Sequence, residues 1–193
     1  MQGDEYLDLR LGDFLERLGT GKPGSGSASA LTVAFAAGLV AMVARKSADS
    51  WEDSGGVAAQ ALALQARAAP LALADAKVWE QALEALEAAR EDRASPNGQL
   101  EEKLDRSTTV PLQIAETAAD TAQLAALAAE LGDGTYRPDA AAAAVLAAAG
   151  ARAAAYLVAV NLTVQEGDPR LTRARASEQT AADAAARAID FAR

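Results

Sequence analysis

From residue 28 to residue 44 no side chain carries a charge, and LTVAFAAGLVAMVA at 31–44 is apolar all around a helix. A run of this kind belongs in a bilayer or in the middle of a folded protein. A membrane span calls for about 18 or more strongly apolar residues. Here Ala, Ser, Thr and Gly, each weakly hydrophobic, fill most of the run. The expectation is a buried central helix without membrane contact. The remaining chain then has to wrap it.

The wrapping material is helical as well. Alanine, the best helix former because it loses no side-chain entropy, makes up about a quarter of the 193 residues. Aromatic residues are only 4%, so helices meet through small side chains. Length and composition suit one domain over 1–193. Helical periodicity runs throughout with no competing strand alternation. A short helix is expected over 12–18, and the central one over 27–50. A long helix over 57–90 should kink at Pro70, and another over 100–131 should kink or break at Pro111.

EDRASPNG at 91–98 reads as a loop. Gly132 suits a left-handed cap, a further helix is expected over 138–165, and Asp168–Pro169 reads as N-cap and first turn of the last one. The fold class is all-α, a bundle of long, partly kinked antiparallel helices around an Ala-rich central helix.

Charge and residue types narrow the chemistry. The net charge is −9 and no basic stripe occurs, which argues against nucleic acid as a partner. Cysteine and histidine are both absent, so thiolate and imidazole chemistry is excluded. Proton transfer falls to Asp, Glu, Lys, Tyr or water. The start, MQGDEYLDLR, has no basic segment followed by an apolar one, so no signal peptide is expected and a cytoplasmic location follows.

Three polar residues stand in apolar company. Asp75 falls within a helical stripe holding Leu64, Leu71, Val78, Ala82 and Leu86. A carboxylate there must be paired, hydrogen-bonded or protonated, and burial raises its pKa toward the range of general acid–base work. A buried Asp satisfied by a neighbouring helix fits the same pattern, which by itself favours that account. Asp139 sits in a first helical turn, where capping accounts for it. Asn161 shares a helical face with Asp139 but lies about 33 Å further along a straight helix, so one subunit cannot place both in one site. A buried Asn tying helices together accounts for Asn161. Before the apolar run stands KPGSGSASA at 22–30. Its glycines allow a close ligand approach and the helix start offers free N–H groups. Ser27 and Ser29 add hydroxyls, Ser27 also suits an N-cap, and Lys22 stands beside the segment. A flexible connection fits this composition equally well.

Taken in order, several segments resemble the formiminotransferase-cyclodeaminase family, in its cyclodeaminase/cyclohydrolase domain. DFLERL at 13–18, PGSGSASA at 23–30 and GLVAMVA at 38–44 resemble its FLE…L segment, its PGGGS loop and the LVAMVA end of its long helix. Asp75–Ala76, VPLQIAE at 110–116, PDAAAAA at 138–144 and Asn161–Leu162 continue the likeness over nearly the whole chain. The resemblance implies a cyclodeaminase-like helical fold, usually a homodimer, acting on one-carbon folates.

The implied activity is methenyltetrahydrofolate cyclohydrolase or formiminotetrahydrofolate cyclodeaminase, the former favoured for a domain without the transferase half. A helical homologue that binds a small ligand or protein without catalysis is the alternative. No cofactor beyond tetrahydrofolate as substrate, and no metal, is implied. Carried over, Pro23, Gly24, Ser25, Gly26 and Ser27 form part of the ligand loop, with Asn161 as a further ligand contact. Asp75 and Asp139 are the implied catalytic groups near the reacting centre. Ser25 stands where the family has glycine, SADSWEDSG at 47–55 where it often has a basic run, and Leu157 and Ala159 where it has Asn and Arg.

Overall fold

The structure is a computed structural model and describes residues 7, 9–21, 23–90, 97–162 and 167–192. Among these are seven helices: α1 (Leu11–Gly19), α2 (Ser25–Lys46), α3 (Ser54–Ala68), α4 (Leu71–Arg90), α5 (Asn97–Leu131), α6 (Arg137–Asn161) and α7 (Pro169–Phe191). No strand occurs among the described residues. Lys22, most of the expected loop at 91–98, and residues 163–166 beyond the end of α6 lie outside them.

The central helix forms as its composition requires, but starts earlier than Ser27. Gly24 is the extended N-cap, and the first intrahelical bond runs from Ala28 N–H to the Gly24 carbonyl. At the far end the buried Ser47 hydroxyl donates to the Val43 carbonyl and accepts from Asp133 N–H, each at 2.8 Å. That accepted bond clips the turn between α5 and α6 to the end of α2. Gly132, in the same turn, does not adopt the left-handed conformation expected of it; positive φ is found at Gly21 and Gly167. A Cβ on Gly132 would stand 3.2 Å from Ser47 Oγ and 3.3 Å from Val43 Cγ1. Close approach, not handedness, calls for glycine there.

Two prolines behave differently. Pro70 has no N–H to donate, and the expected kink is a break between α3 and α4 at residues 69–70. Pro111 leaves α5 unbroken over 35 residues. The carbonyl that Pro111 orphans, four residues back, belongs to Ser107. Asn161 at the end of α6 donates its side-chain N–H to that oxygen at 2.6 Å. A lost helix bond is thereby replaced from a neighbouring helix.

Helix directions follow from these contacts. Gln65 of α3 bonds the Ala34 carbonyl of α2, while Ala72 of α4 accepts from Ser27, so α3 and α4 run antiparallel to α2. With Gly132 beside Ser47 and Gly150 beside Val33, α6 is antiparallel to α2 as well. α5 packs behind α2 and touches α3, α4, α6 and α7. The α7 start is fixed by Asp168, which accepts from Arg170 N–H at 2.8 Å. The Arg170 guanidinium bridges Asp168 and Asp105 of α5.

The core is built mainly from alanine, with Val33, Val40, Val43, Ile114 and Val158 among its largest fully buried side chains. Small side chains let helix backbones approach closely. By length and composition alone, Ser25–Lys46, Ser54–Ala88 and Arg137–Asn161 are long and apolar enough to cross a bilayer. The first of these, α2, packs against α3, α4, α5 and α6.

The α2–α6 crossing is close at Gly150, where a Cβ would lie 2.7 Å from Val33 Cγ2 and 3.5 Å from the Ser29 carbonyl oxygen. Gly150→Val should therefore cost about 1–3 kcal/mol through overpacking, read as a lower urea midpoint. An unchanged midpoint would show that the crossing has slack.

Candidate functional site

At the first turn of α2 the sequence places two glycines and two serines, and the fold sets α4 directly against them. Gly26 and Ser27 are buried, whereas Gly24 and Ser25 face solvent. The Ser27 hydroxyl, which suits an N-cap by sequence, instead donates to the Ala72 carbonyl of α4 at 2.6 Å. One helical turn further along α4 is Asp75, only 9% exposed. Its carboxylate occupies the space where a side chain on Gly26 would begin, and it accepts the backbone N–H of Ser27. Gly26 and Asp75, far apart in sequence, form one unit.

Two opposing effects set the protonation of Asp75. Burial raises its pKa, and the Ser27 N–H lowers it by stabilising the carboxylate. Burial is the larger, and the pKa rises to about 6. A carboxyl group of that strength is mainly ionised at neutral pH, yet exchanges its proton at low cost, as general acid–base work requires. Around it, the first turn of α2 supplies backbone N–H groups without intrahelical partners and the positive end of the helix dipole. Together these suit a ligand that carries negative charge or develops it.

The other expected residues divide by their place in the bundle. Pro23 is buried at the entry to α2, beside Gly24 and Ser25. Asn161 lies toward the same end of the bundle, but its side-chain N–H is committed to Ser107, as helix tying requires. Asp139 lies at the opposite end. It stands in the first turn of α6, which begins beside the end of α2. By helix rise that is about 25 Å from Gly26. One chain by itself therefore does not bring Asp75 and Asp139 to a common centre. The reason is the antiparallel pairing of α2 with α6.

Sequence reasoning missed the lock between Ser27 and Ala72. A serine hydroxyl at a helix start gives no sequence signal of a carbonyl 45 residues further on. A cavity of about 750 Å³ lies elsewhere, between α3, α5 and α7, lined by Leu64, Leu127, Arg187 and Phe191 among others, and holds none of these residues. Among the described residues, no three acidic side chains cluster to hold a metal ion.

Comparison with known families settles the lineage. The family described as Formiminotransferase-cyclodeaminase matches residues 10–181. The chain belongs to this family. Among solved structures, the formiminotetrahydrofolate cyclodeaminase of Thermotoga maritima superposes with a TM-score of 0.83 at 20% identity, over 96% of each chain. Comparison with curated proteins finds no match. The structural likeness establishes a cyclodeaminase fold. In this family member the PGSGS segment is the start of a helix, not a free loop.

Proposed function

We propose that this cyclodeaminase-family chain is a folate one-carbon enzyme, a methenyltetrahydrofolate cyclohydrolase in preference to a formiminotetrahydrofolate cyclodeaminase. It works as a homodimer in the cytoplasm, with a one-carbon derivative of tetrahydrofolate as substrate and no further cofactor. The observation that carries the reading is Asp75, buried against the first turn of α2 with a pKa of about 6. Hydration of the methenyl bridge adds water to the carbon between two nitrogens, and one C–N bond then breaks. The attacking water gives up a proton and the leaving nitrogen gains one. At neutral pH Asp75 is in the form that accepts a proton from water, and its low transfer cost lets it return that proton to the nitrogen. Ring hydration starts with that deprotonation. Release of ammonia from a formimino group starts with the opposite need, a donor. The backbone N–H groups of the α2 start orient the substrate.

The test is loss of the near-ultraviolet absorbance of 5,10-methenyltetrahydrofolate, with the buffer rate subtracted. Turnover is expected to rise with pH through about 6 and to level above it, as the Asp75 carboxylate forms. A rate equal to the buffer blank removes the enzymatic reading and leaves a binding homologue. A flat profile from acid to neutral pH removes Asp75 as the base.

A further inference from the structure

Along one side of α4, Ala72, Asp75, Trp79 and Leu83 follow one another at helical spacing. Ala72 and Asp75 are buried, the first where Ser27 bonds its carbonyl and the second against Gly26. Trp79 and Leu83 are 48% and 40% exposed. The cause is the end of α2. Because α4 runs antiparallel to α2, Trp79 stands about 6 Å past Asp75 in the direction in which α2 runs out. Only Ser25 and the N-cap Gly24 remain of α2 beyond Gly26. Besides α2, the helices that pack on α4 are α3 and α5. Past Asp75 the buried positions are Ala82 and Ala85, which turn away from Trp79 and Leu83.

An apolar ledge therefore overhangs the start of α2, with Asp75 at its inner edge. The chain has two tryptophans. Trp51 is buried, and Trp79 leaves half of its indole open beside the one buried carboxylate.

We propose that Trp79 is the stacking platform for the flat pteridine ring of the substrate, holding it across the start of α2 so that the one-carbon bridge meets Asp75. This assignment rests on the folate reading and names the part of the folate that binds here. Residues four apart on a helix place their Cβ atoms about 5–6 Å from one another. Helix side chains lean toward the amino end of their own helix, which on α4 is toward Asp75. Offset stacking sets ring centres about 4.5–7 Å apart, so a ring on the indole lies within one ring width of the carboxylate. Leu83 extends the apolar floor under the outer edge of that ring.

The chemistry of the bridge selects the pteridine over the benzoyl ring. The carbon to be hydrated closes a ring fused to the pteridine, so fixing the pteridine plane fixes that carbon. The benzoyl ring hangs on a single bond and turns freely, and stacking it would leave the carbon unplaced. Trp79 supplies binding and orientation, and proton transfer stays with Asp75.

Two readouts test the stack. Trp79→Ala should raise KM for 5,10-methenyltetrahydrofolate about 5- to 100-fold, the range for losing a ring stacked on an aromatic side chain. Trp79→Phe should recover most of that loss. In both, turnover should rise through the same pH as in the wild type, because Asp75 is untouched. Circular dichroism checks that each variant is folded. Bound tetrahydrofolate should also shield Trp79 emission from acrylamide, whereas p-aminobenzoylglutamate, which lacks the pteridine, should not. Trp79→Phe, which keeps only the buried Trp51, should lose that signal.

An active wild type with an unchanged KM in Trp79→Ala overturns the stack and leaves the folate reading standing. Equal shielding by p-aminobenzoylglutamate overturns the choice of the pteridine. Shielding by tetrahydrofolate without turnover keeps the stack and removes the catalytic reading. A wild type that shows neither turnover nor shielding removes the folate reading and the stack with it.

Discussion

Replacing Asp75 by Asn should make the protein more stable at pH 8 and nearly inactive. The first effect follows from linkage. Asp75 titrates near 3.8 when exposed and at about 6 when buried. Between those values the folded state holds a proton that the unfolded state has lost, so stability falls as pH rises through the window. Above pH 6 the buried carboxylate costs about 2–3 kcal/mol, since each pH unit between the two values is worth about 1.36 kcal/mol. Asn keeps the shape and an oxygen for Ser27 N–H but carries no charge. Its melting temperature at pH 8 should exceed that of the wild type by about 4–10 °C for a chain of this size. At pH 4, where the wild-type group is protonated in the fold, the difference should nearly vanish. Turnover should fall about 10²–10⁴-fold, the range for loss of a general acid–base group. Equal melting at both pH values would mean that the Asp75 carboxylate does not destabilise the fold. Wild-type turnover would exclude it from the chemistry.

Gly26→Ala runs against the usual rule for helices. By propensity alone, alanine should gain about 1 kcal/mol over glycine inside a helix. At Gly26 the new Cβ would fall on the Asp75 carboxylate. The carboxylate must leave, and its bond from Ser27 N–H goes with it. The net effect is expected to be a loss of about 1–3 kcal/mol, seen in urea denaturation. Turnover falls with it, because the displaced group no longer lies against the helix start. At pH 8 relief of the carboxylate's burial offsets part of this loss, so the loss is read most clearly at pH 4, where the wild-type group is protonated. The double variant Gly26→Ala/Asp75→Ala should recover much of the lost stability, since the clash is with the removed group. Such non-additivity marks a direct contact. A wild-type urea midpoint in Gly26→Ala alone would sink the account.

The two variants bracket what spacing along the chain could reveal. Asp75 was marked by its place in an apolar stripe, because helical period follows directly from spacing. Its partner was not marked. Nothing in PGSGS states that Gly26 must stay small to admit a side chain that lies far along the sequence. The prolines show the same division. Both announce a lost hydrogen bond, yet Pro70 ends a helix while Pro111 does not. The difference is Asn161, which reaches the Ser107 carbonyl only because α6 returns antiparallel to α5.

The sequence by itself determined the helical class, the burial of most of 28–44 and the isolation of Asp75, since all of these rest on composition and period along one strand of chain. Tertiary structure decided the directions. It joined Gly26 to Asp75, placed Asp139 at the other end of the bundle and left Trp79 bare. Those outcomes depend on which helix ends meet, and a close-packed alanine core fixes that through contacts between residues distant in sequence.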